Sequence, residues 1–457
     1  MNFQRKRLLL INPANTYRKG YLLRRESKQA PMGLGIVASL TPPDWSVKIL
    51  DENFKEFRYR EADLVGITAV TASVNRAYEI AAIFREKGIP VVLGGIHGSS
   101  LPDEALRYVD SVVIGEAEGS WGRVLDDFNN GTLQKTYISG LSDLKNAAAP
   151  RHDLFHPGYL FASIQTSRGC PMDCEFCSVP AFNGHQYRLR DPQSVVDEIA
   201  SVPHSMLYFV DDNIIGYNKT AEDHAAAIFE GMIRRNLKKE WFAQASLNIV
   251  EKPELLKLAR RSGCRMLLIG IEAENADALR DSNKKVNLRL GVDNYKKAFR
   301  MIHREGINVL GAFIFGMDSD TPEALRKRTK YILSSSVDVT QASVMTPLPG
   351  TRLFEKFKKE GRLLCQDFPK DWQHFHFSDV VFNPVRMTPK ELAESTNEAY
   401  NRICDMNTLR MKFIRTLWNT RSLRSAVWAW NSNLNYRSVG LERPTEWNYK
   451  NLDSVGK

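Results

Sequence analysis

The sequence predicts an α/β protein built from two successive parallel-sheet units and a helical tail. Three observations predict it. Short apolar runs alternate with helix-period segments through the first 150 residues, the alternation resumes more regularly between residues 158 and 385, and the last 70 residues lose it. Such alternation lays parallel strands into a sheet and helices across its faces.

In the first stretch the strand-like runs are "RLLLIN" (7–12), "VKIL" (47–50), "LVGIT" (64–68), "VVLGG" (91–95) and "SVVIGE" (111–116). The clearest helix precedes the fourth: Val74, Ala77, Ala81 and Phe84 fall on one face and Gly88 supplies the stop. In doubly wound sheets ligands sit at the carboxyl ends of the strands, where this chain places "NPAN", "TAVTAS", "GGIHGS" and "GEAEGS". Glycine and small hydroxyl residues there let a phosphate-bearing ligand approach the backbone, although tight turns use the same residues.

Six candidate strands follow: "FASIQTS" (161–167), "MLYFVDD" (206–212), "WFAQASLN" (241–248), "MLLIGIE" (266–272), "NVLGAFIFG" (308–316) and "VTQASVMTPLP" (339–349). Six β/α units make an open, incomplete relative of the (β/α) barrel, whose chemistry lies at the C-terminal ends of its strands. The loop after the first of these strands carries Cys170, Cys174 and Cys177, half of the chain's six cysteines. Three thiolates in one loop suit a cuboidal iron–sulfur cluster with one open iron. The alternative is structural zinc with His185 as a fourth ligand, although no second cysteine pair accompanies it. Cys264, Cys365 and Cys404 read as buried thiols.

Composition bounds the class. Of 457 residues, 43% are hydrophobic and 25% charged, ordinary globular material long enough for two or three domains. The net charge of +10 favours an anionic partner without choosing one. The start reads as a strand rather than a signal peptide, and no window approaches the roughly 18 apolar residues of a spanning helix. A cytoplasmic protein is expected, in which clustered cysteines bind metal rather than pair.

The pattern in "CPMDCEFC", with Phe176 before the last cysteine, resembles the radical S-adenosylmethionine (SAM) superfamily over residues 158–385. The resemblance implies a [4Fe-4S] cluster on Cys170, Cys174 and Cys177, with SAM chelating the open iron through its amino and carboxylate groups. One-electron reduction, by a donor such as flavodoxin or ferredoxin, then cleaves SAM to methionine and a 5′-deoxyadenosyl radical. Asp211 and Asp212 in "FVDDN" are expected to accept from the SAM amine, unless one caps the next helix. Gln244, Ser246 and Asn248 are expected on one side of the third strand. Glu272 is expected at the SAM ribose or methionine moiety, although relatives often read Gly-x-Glu-Ser and Ala273 departs from that. Lys284 and Lys285 are expected near the SAM carboxylate or in solvent.

The first unit is similar to the Rossmann-like domain of the cobalamin-binding class of that superfamily, on "INPAN", "APMGLGIVA", "ITAVTAS", "GGIHGS" and "VIGEAEGS". The resemblance implies cobalamin contacts from Asn12, Gly33, Thr68, Ser73, Gly94, Gly95, His97, Gly115 and Glu116. Many such domains carry DxHxxG after the first strand. Here that place reads "NPANTY", so the cobalt is expected to lack a histidine from that motif. His97 is expected to bond a cofactor tail or its own backbone rather than cobalt.

The expected division is a cobalamin-binding domain at 1–150, a partial (β/α)6 radical SAM barrel at 151–385 and a basic, Trp-rich helical extension at 386–457. Within that extension residues 406–440 hold six basic residues and no acidic one, with Arg410, Lys412, Arg415, Arg421 and Arg424 among Phe413, Leu417, Trp418, Trp428 and Trp430. A helix of this kind packs on the barrel or lies on an anionic membrane. No RNA-binding motif accompanies it, and no nucleic-acid partner is expected.

The function implied is methylation of an unactivated carbon on a small-molecule or lipid-like substrate. The alternatives are a non-methylating cyclisation or rearrangement and, in another class, a non-catalytic cofactor carrier. A methylthiotransferase is disfavoured because no cysteine precedes Cys170.

Overall fold

A computed structural model describes residues 5–15 and 28–441, so the notable "TY" of "NPANTY" and the tail beyond 441 lie outside the described residues. The first sheet contains β1 (Lys6–Asn12), β2 (Trp45–Asp51), β3 (Leu64–Thr68), β4 (Val91–Gly94), β5 (Ser111–Ile114) and β6 (Thr136–Ile138), in the order β2-β1-β3-β4-β5-β6. All its pairings are parallel. Leu8–Ile11 and Leu64–Ile67 are continuously buried, as a sheet covered on both faces requires. Helix Val74–Arg85 buries Val74, Ala77, Ala81 and Phe84, the stripe expected from periodicity. Strand β6 was not expected: its three residues are too short to show a period.

The second unit contains β7 (Ala162–Ile164), a short antiparallel pair β8 (Ser167–Arg168) and β9 (Arg188–Leu189), then β10 (Met206–Phe209), β11 (Glu240–Ala245), β12 (Cys264–Glu272), β13 (Asn308–Phe315) and β14 (Val339–Val344). The parallel order β14-β13-β12-β11-β10-β7 pairs each strand only with its successor and leaves β7 and β14 as edges, hence an open six-stranded barrel. Side chains cap its helices where expected. Asp191, Asn218 and Thr321 each accept from a backbone N–H three residues on, and Thr388 forms a capping box with Glu391.

Two C-terminal helices, Met406–Thr420 and Leu423–Leu441, turn back on each other through Arg421, whose φ is 50°. The second helix lays Trp428 and Ala429 against Met266, Leu310 and Val339, near the N-terminal ends of the barrel strands. Buried polar anchors hold the pair: Lys412 Nζ donates to Thr340 Oγ1 (2.6 Å), Thr416 to Asp338 (2.7 Å) and Asn433 to the Asp338 carbonyl (2.9 Å). Among the described residues no helix is long and apolar enough to cross a membrane.

Candidate active site and cofactor cavities

Cys170, Cys174 and Cys177 line one cavity of about 500 Å3 at the C-terminal ends of the barrel strands. Among the described residues no three His, Cys, Asp or Glu side chains converge as a single metal ion requires, and His185 is exposed. That argues against a zinc site. Thiolates bonded to three different irons need no such convergence. Burial above all, with Cys174, Asp212 and Cys170 acting in the same direction, pushes the Cys177 thiol up to about 12. Three thiols so placed need cationic irons to ionise, so the donor set fits a cluster. Cys264, Cys365 and Cys404 are buried elsewhere, as expected.

Opposite the cysteines, Glu272 meets Lys284 at 2.6 Å. Glu272 has φ 61° and stands at a register shift between β12 and β13, so the bulge re-aims its carboxylate. Asn287 Nδ2 donates to the carbonyls of Gly270 (3.0 Å) and Ile271 (2.9 Å), holding the bulge in place. A Cβ on Gly270 would lie 2.5 Å from Glu272 Oε1 and 2.7 Å from Lys284 Nζ, so glycine leaves room for the pair. Burial works against the charge on Lys284, but Glu272 and Cys174 outweigh it and raise its pKa.

Gln244, Ser246 and Asp212 also line this cavity. Gln244 Nε2 donates to Tyr208 (3.3 Å), and the Ser246 hydroxyl is bonded by Tyr217 and by Asn213. Burial, then the neighbouring Asp211, raises Asp212 to about 7. The sequence carried no signal for Tyr217 or Tyr208, lone aromatics that the fold brings to the wall.

Two expectations on this side are corrected. Asp211 does not line the cavity: it is buried behind it, accepting from Thr166 N (3.1 Å), Thr166 Oγ1 (2.8 Å) and Ser167 Oγ (2.6 Å), so it fixes the chain entering the cysteine loop. Asn248 falls in a 3-10 turn after β11 and donates to the Gly216 carbonyl (3.0 Å). Lys285, expected near the SAM carboxylate or in solvent, takes the second course: it lies at the edge of the cavity, exposed and paired with Asp173 (3.0 Å).

A second cavity, about 260 Å3, lies at the carboxyl ends of the first sheet and is lined by Gly33, Thr68, Gly94, Gly95, Gly115 and Glu116. A Cβ on Gly33 or Gly94 would meet nothing within 4 Å, so bare backbone forms the wall and the void begins there. A slot of this size takes a nucleotide-sized group, which fits the nucleotide tail of cobalamin. Glu116 is committed elsewhere: it binds Arg188 (2.5 Å) and Arg168 (3.2 Å), which tie this sheet to β8 and β9. Burial alone would raise its pKa, but the arginines hold it below the usual carboxylate range.

Asn12, Ser73 and His97 are corrected, for none lines this cavity. Asn12 donates to Asp51 (2.8 Å) and Ser73 to the Val70 carbonyl (3.3 Å). His97 is fully buried between Thr71 (3.3 Å) and Glu104 (3.2 Å). Glu104 in turn accepts from Trp372 (2.9 Å) and Tyr78 (3.0 Å), a network that leaves His97 neither to cobalt nor to a cofactor tail.

One short helix joins the two cavities. Val179, at the start of Val179–Asn183, lines the cysteine cavity, whereas Phe182 and Asn183 at its end line the glycine cavity.

An iron–sulfur loop on a partial barrel, opening beside a glycine-lined Rossmann slot, defines a two-cofactor radical enzyme. Comparison with known proteins agrees. Residues 164–332 match the Radical SAM superfamily model and residues 18–125 the B12 binding domain model. The chain is 30% identical over 462 residues to the bacteriochlorophyllide d C-8(2)-methyltransferase of Chlorobaculum tepidum, covering 94% of this chain and 98% of that one. It is 29% identical over 350 residues to the hopanoid C-2 methylase of Rhodopseudomonas palustris, covering 74% and 66%. Its fold is similar to that of OxsB, a cobalamin-dependent SAM radical enzyme solved with aqua-cobalamin and SAM bound, with a TM-score of 0.70 at 15% identity over 95% and 71% of the two chains. The chain belongs to the cobalamin-binding radical SAM enzymes.

Proposed function

We propose that this protein methylates an unactivated carbon of a small-molecule or lipid-like substrate. The observation that carries the reading is the helix Val179–Asn183, which places the cysteine cavity and the glycine cavity at opposite ends of one short element. When bound, the cluster supplies the electron for reductive SAM cleavage, and cobalamin supplies a metal able to carry a methyl group.

The chain's own residues bind and orient. Cys170, Cys174 and Cys177 hold the cluster, while Glu272, Lys284, Asp212, Gln244 and Ser246 present charged and hydrogen-bonding groups to SAM. Gly33, Thr68, Gly94, Gly95 and Gly115 leave the slot for the cobalamin tail. The division at 1–150, 151–385 and 386–457 assigns one role to each part. A one-electron donor such as flavodoxin or ferredoxin completes the system. The relatives named as methyltransferases support the reading, as does the pairing of the two cavities. Incubation with SAM labelled in its methyl group, a reductant and an extract of candidate substrates tests it. Label should appear on a carbon of the product together with 5′-deoxyadenosine, and cleavage of SAM with an unlabelled product would favour rearrangement instead.

Peripheral membrane contact is part of the same reading. Phe413 and Trp430 pack edge to face between the two C-terminal helices and Trp428 is buried against the barrel, so three of the four aromatics named above serve the fold. Met411 (71%), Ile414 (66%) and Trp418 (83%) are exposed on one face of the preceding helix, with Leu423 and Val427 beside them and Arg410, Arg421 and Arg424 exposed nearby. An apolar face flanked by cations suits an anionic bilayer.

A further inference from the structure

The cysteine loop is braced by the segment that follows it. Strands β8 and β9 pair in the register Ser167↔Leu189 and Arg168↔Arg188, and the next position in that register sets Gly169 against Tyr187. The approach is close. Cys170 N donates to the Gly184 carbonyl (3.1 Å), and a Cβ on Gly169 would lie 2.1 Å from the Gln186 carbonyl oxygen. Gly169 has φ 93°, so glycine meets both the conformation and the space. Tyr187 therefore stands beside the first of the three cysteines.

Its ring packs on Gly216, where a Cβ would lie 3.3 Å from Tyr187 Cε2 and 3.5 Å from Cζ, and 6.1 Å from the ring of Tyr217, which lines the cysteine cavity. The Tyr187 hydroxyl is buried and has no hydrogen-bond partner among the described residues. A buried donor of this kind is costly unless something accepts from it. The acceptors around it are already served: Asp211 by Thr166 and Ser167, Asp212 by Gly169 N–H and Asn183, and Tyr217 by its bond with Ser246. Burial first, then Cys170 ahead of Tyr217, Asp212 and Asp211, raises the Tyr187 pKa, so the hydroxyl keeps its proton next to that cysteine. Backbone donors face the sulfurs too, Met172 N–H at Cys170 and Val179 N–H at Cys177, and Tyr187 adds a side-chain donor at Cys170.

We infer that the Tyr187 hydroxyl donates a hydrogen bond to sulfur at the Cys170 corner of the iron–sulfur cluster and raises the cluster's reduction potential. An added electron increases the negative charge on the sulfurs, and a donor aimed at them in a buried site favours the reduced state. Tyr187 thus sets how strong a one-electron donor the enzyme requires. The inference rests on the reading that Cys170, Cys174 and Cys177 hold the cluster, and it is independent of which substrate is methylated.

A redox titration of the reconstituted holoenzyme without SAM tests this, with dithionite as reductant and the EPR signal of the reduced cluster as readout. Tyr187→Phe keeps the ring on Gly216 and loses only the hydroxyl, so iron content should stay at the wild-type level. At a fixed applied potential the ratio of reduced to oxidised cluster should fall about tenfold, a downward shift of 59 mV for a one-electron couple. Electron–nuclear double resonance in D2O gives a second readout: the reduced wild-type cluster should show a coupled exchangeable deuteron that the variant lacks. An unmoved potential in a variant with full iron overturns the inference, and so does the same deuteron coupling in both proteins. Failure of the cluster assignment looks different, since iron would then survive replacement of all three cysteines by Ala.

Discussion

Glu272 and Lys284 form a 2.6 Å ion pair inside the cavity that also holds the three cysteines, and Glu272 reaches it from a left-handed backbone at a β-bulge. A non-glycine residue at φ 61° costs on the order of 1–3 kcal/mol, and such strain concentrates where a side chain must be aimed. Glu272→Gln should therefore weaken SAM binding at least tenfold, measured by equilibrium dialysis on the cluster-loaded enzyme, while iron content stays at the wild-type level. Gly270→Ala should do the same with little change in Tm. Its Cβ displaces only the mobile ends of Glu272 and Lys284.

The glycine slot gives a complementary expectation. Gly94→Leu directs a side chain into the cavity without meeting protein atoms near its Cβ, so the fold tolerates it and the ligand does not. Cobalt content should fall to a few per cent of wild type, with iron unchanged, by elemental analysis.

His97 should behave as a structural residue. Its removal takes one hydrogen bond from buried Glu104, whose remaining partners are Tyr78 and Trp372. His97→Ala should lower stability by about 1–3 kcal/mol in urea unfolding and leave the cobalamin spectrum of the surviving folded enzyme unaltered.

Lys412 predicts a pH dependence. Burial, reinforced by Arg415, lowers its pKa from the ordinary lysine value to about 7. Between pH 7 and about 10.5 the unfolded chain therefore binds the proton more tightly than the folded one, and this group's cost to stability falls as pH rises through that window. Lys412→Met should raise Tm at pH 7, and the gain over wild type should shrink toward pH 10. An equal gain at both values would exclude the lysine as the cause.

The exposed face of the C-terminal helices predicts sedimentation with vesicles rich in phosphatidylserine and much less with phosphatidylcholine vesicles. Trp418→Ser combined with Ile414→Ser should reduce the bound fraction several-fold, since each side chain is more than half exposed and supports no core. Salt should weaken the wild-type interaction.

Strand periodicity made the two sheets legible, because buried parallel strands are continuous apolar runs, and the cysteine spacing made the cluster legible. Strand ends were a weaker guide. Asp211 and Asp212 are adjacent and chemically alike, yet only the path of β7 and β8 decides that Asp211 turns away to Thr166 and Ser167. His97 lies in a glycine-rich loop as a ligand would, but its partner Trp372 is 275 residues away, a contact no local pattern carries. The C-terminal segment divides its aromatics, since Trp428 packs on the barrel while Trp418 faces outward, a division set by helix phase and not by composition.

The central claim is that one chain holds two metal cofactors at separate sites. Iron and cobalt content per chain tests it most directly, on protein produced with cobalamin and purified without oxygen. The wild type should hold about four irons and one cobalt, and the variant with Cys170, Cys174 and Cys177 all changed to Ala should keep the cobalt and lose the iron. Full iron with cobalt never above trace, or iron retained by the triple variant, would contradict the account.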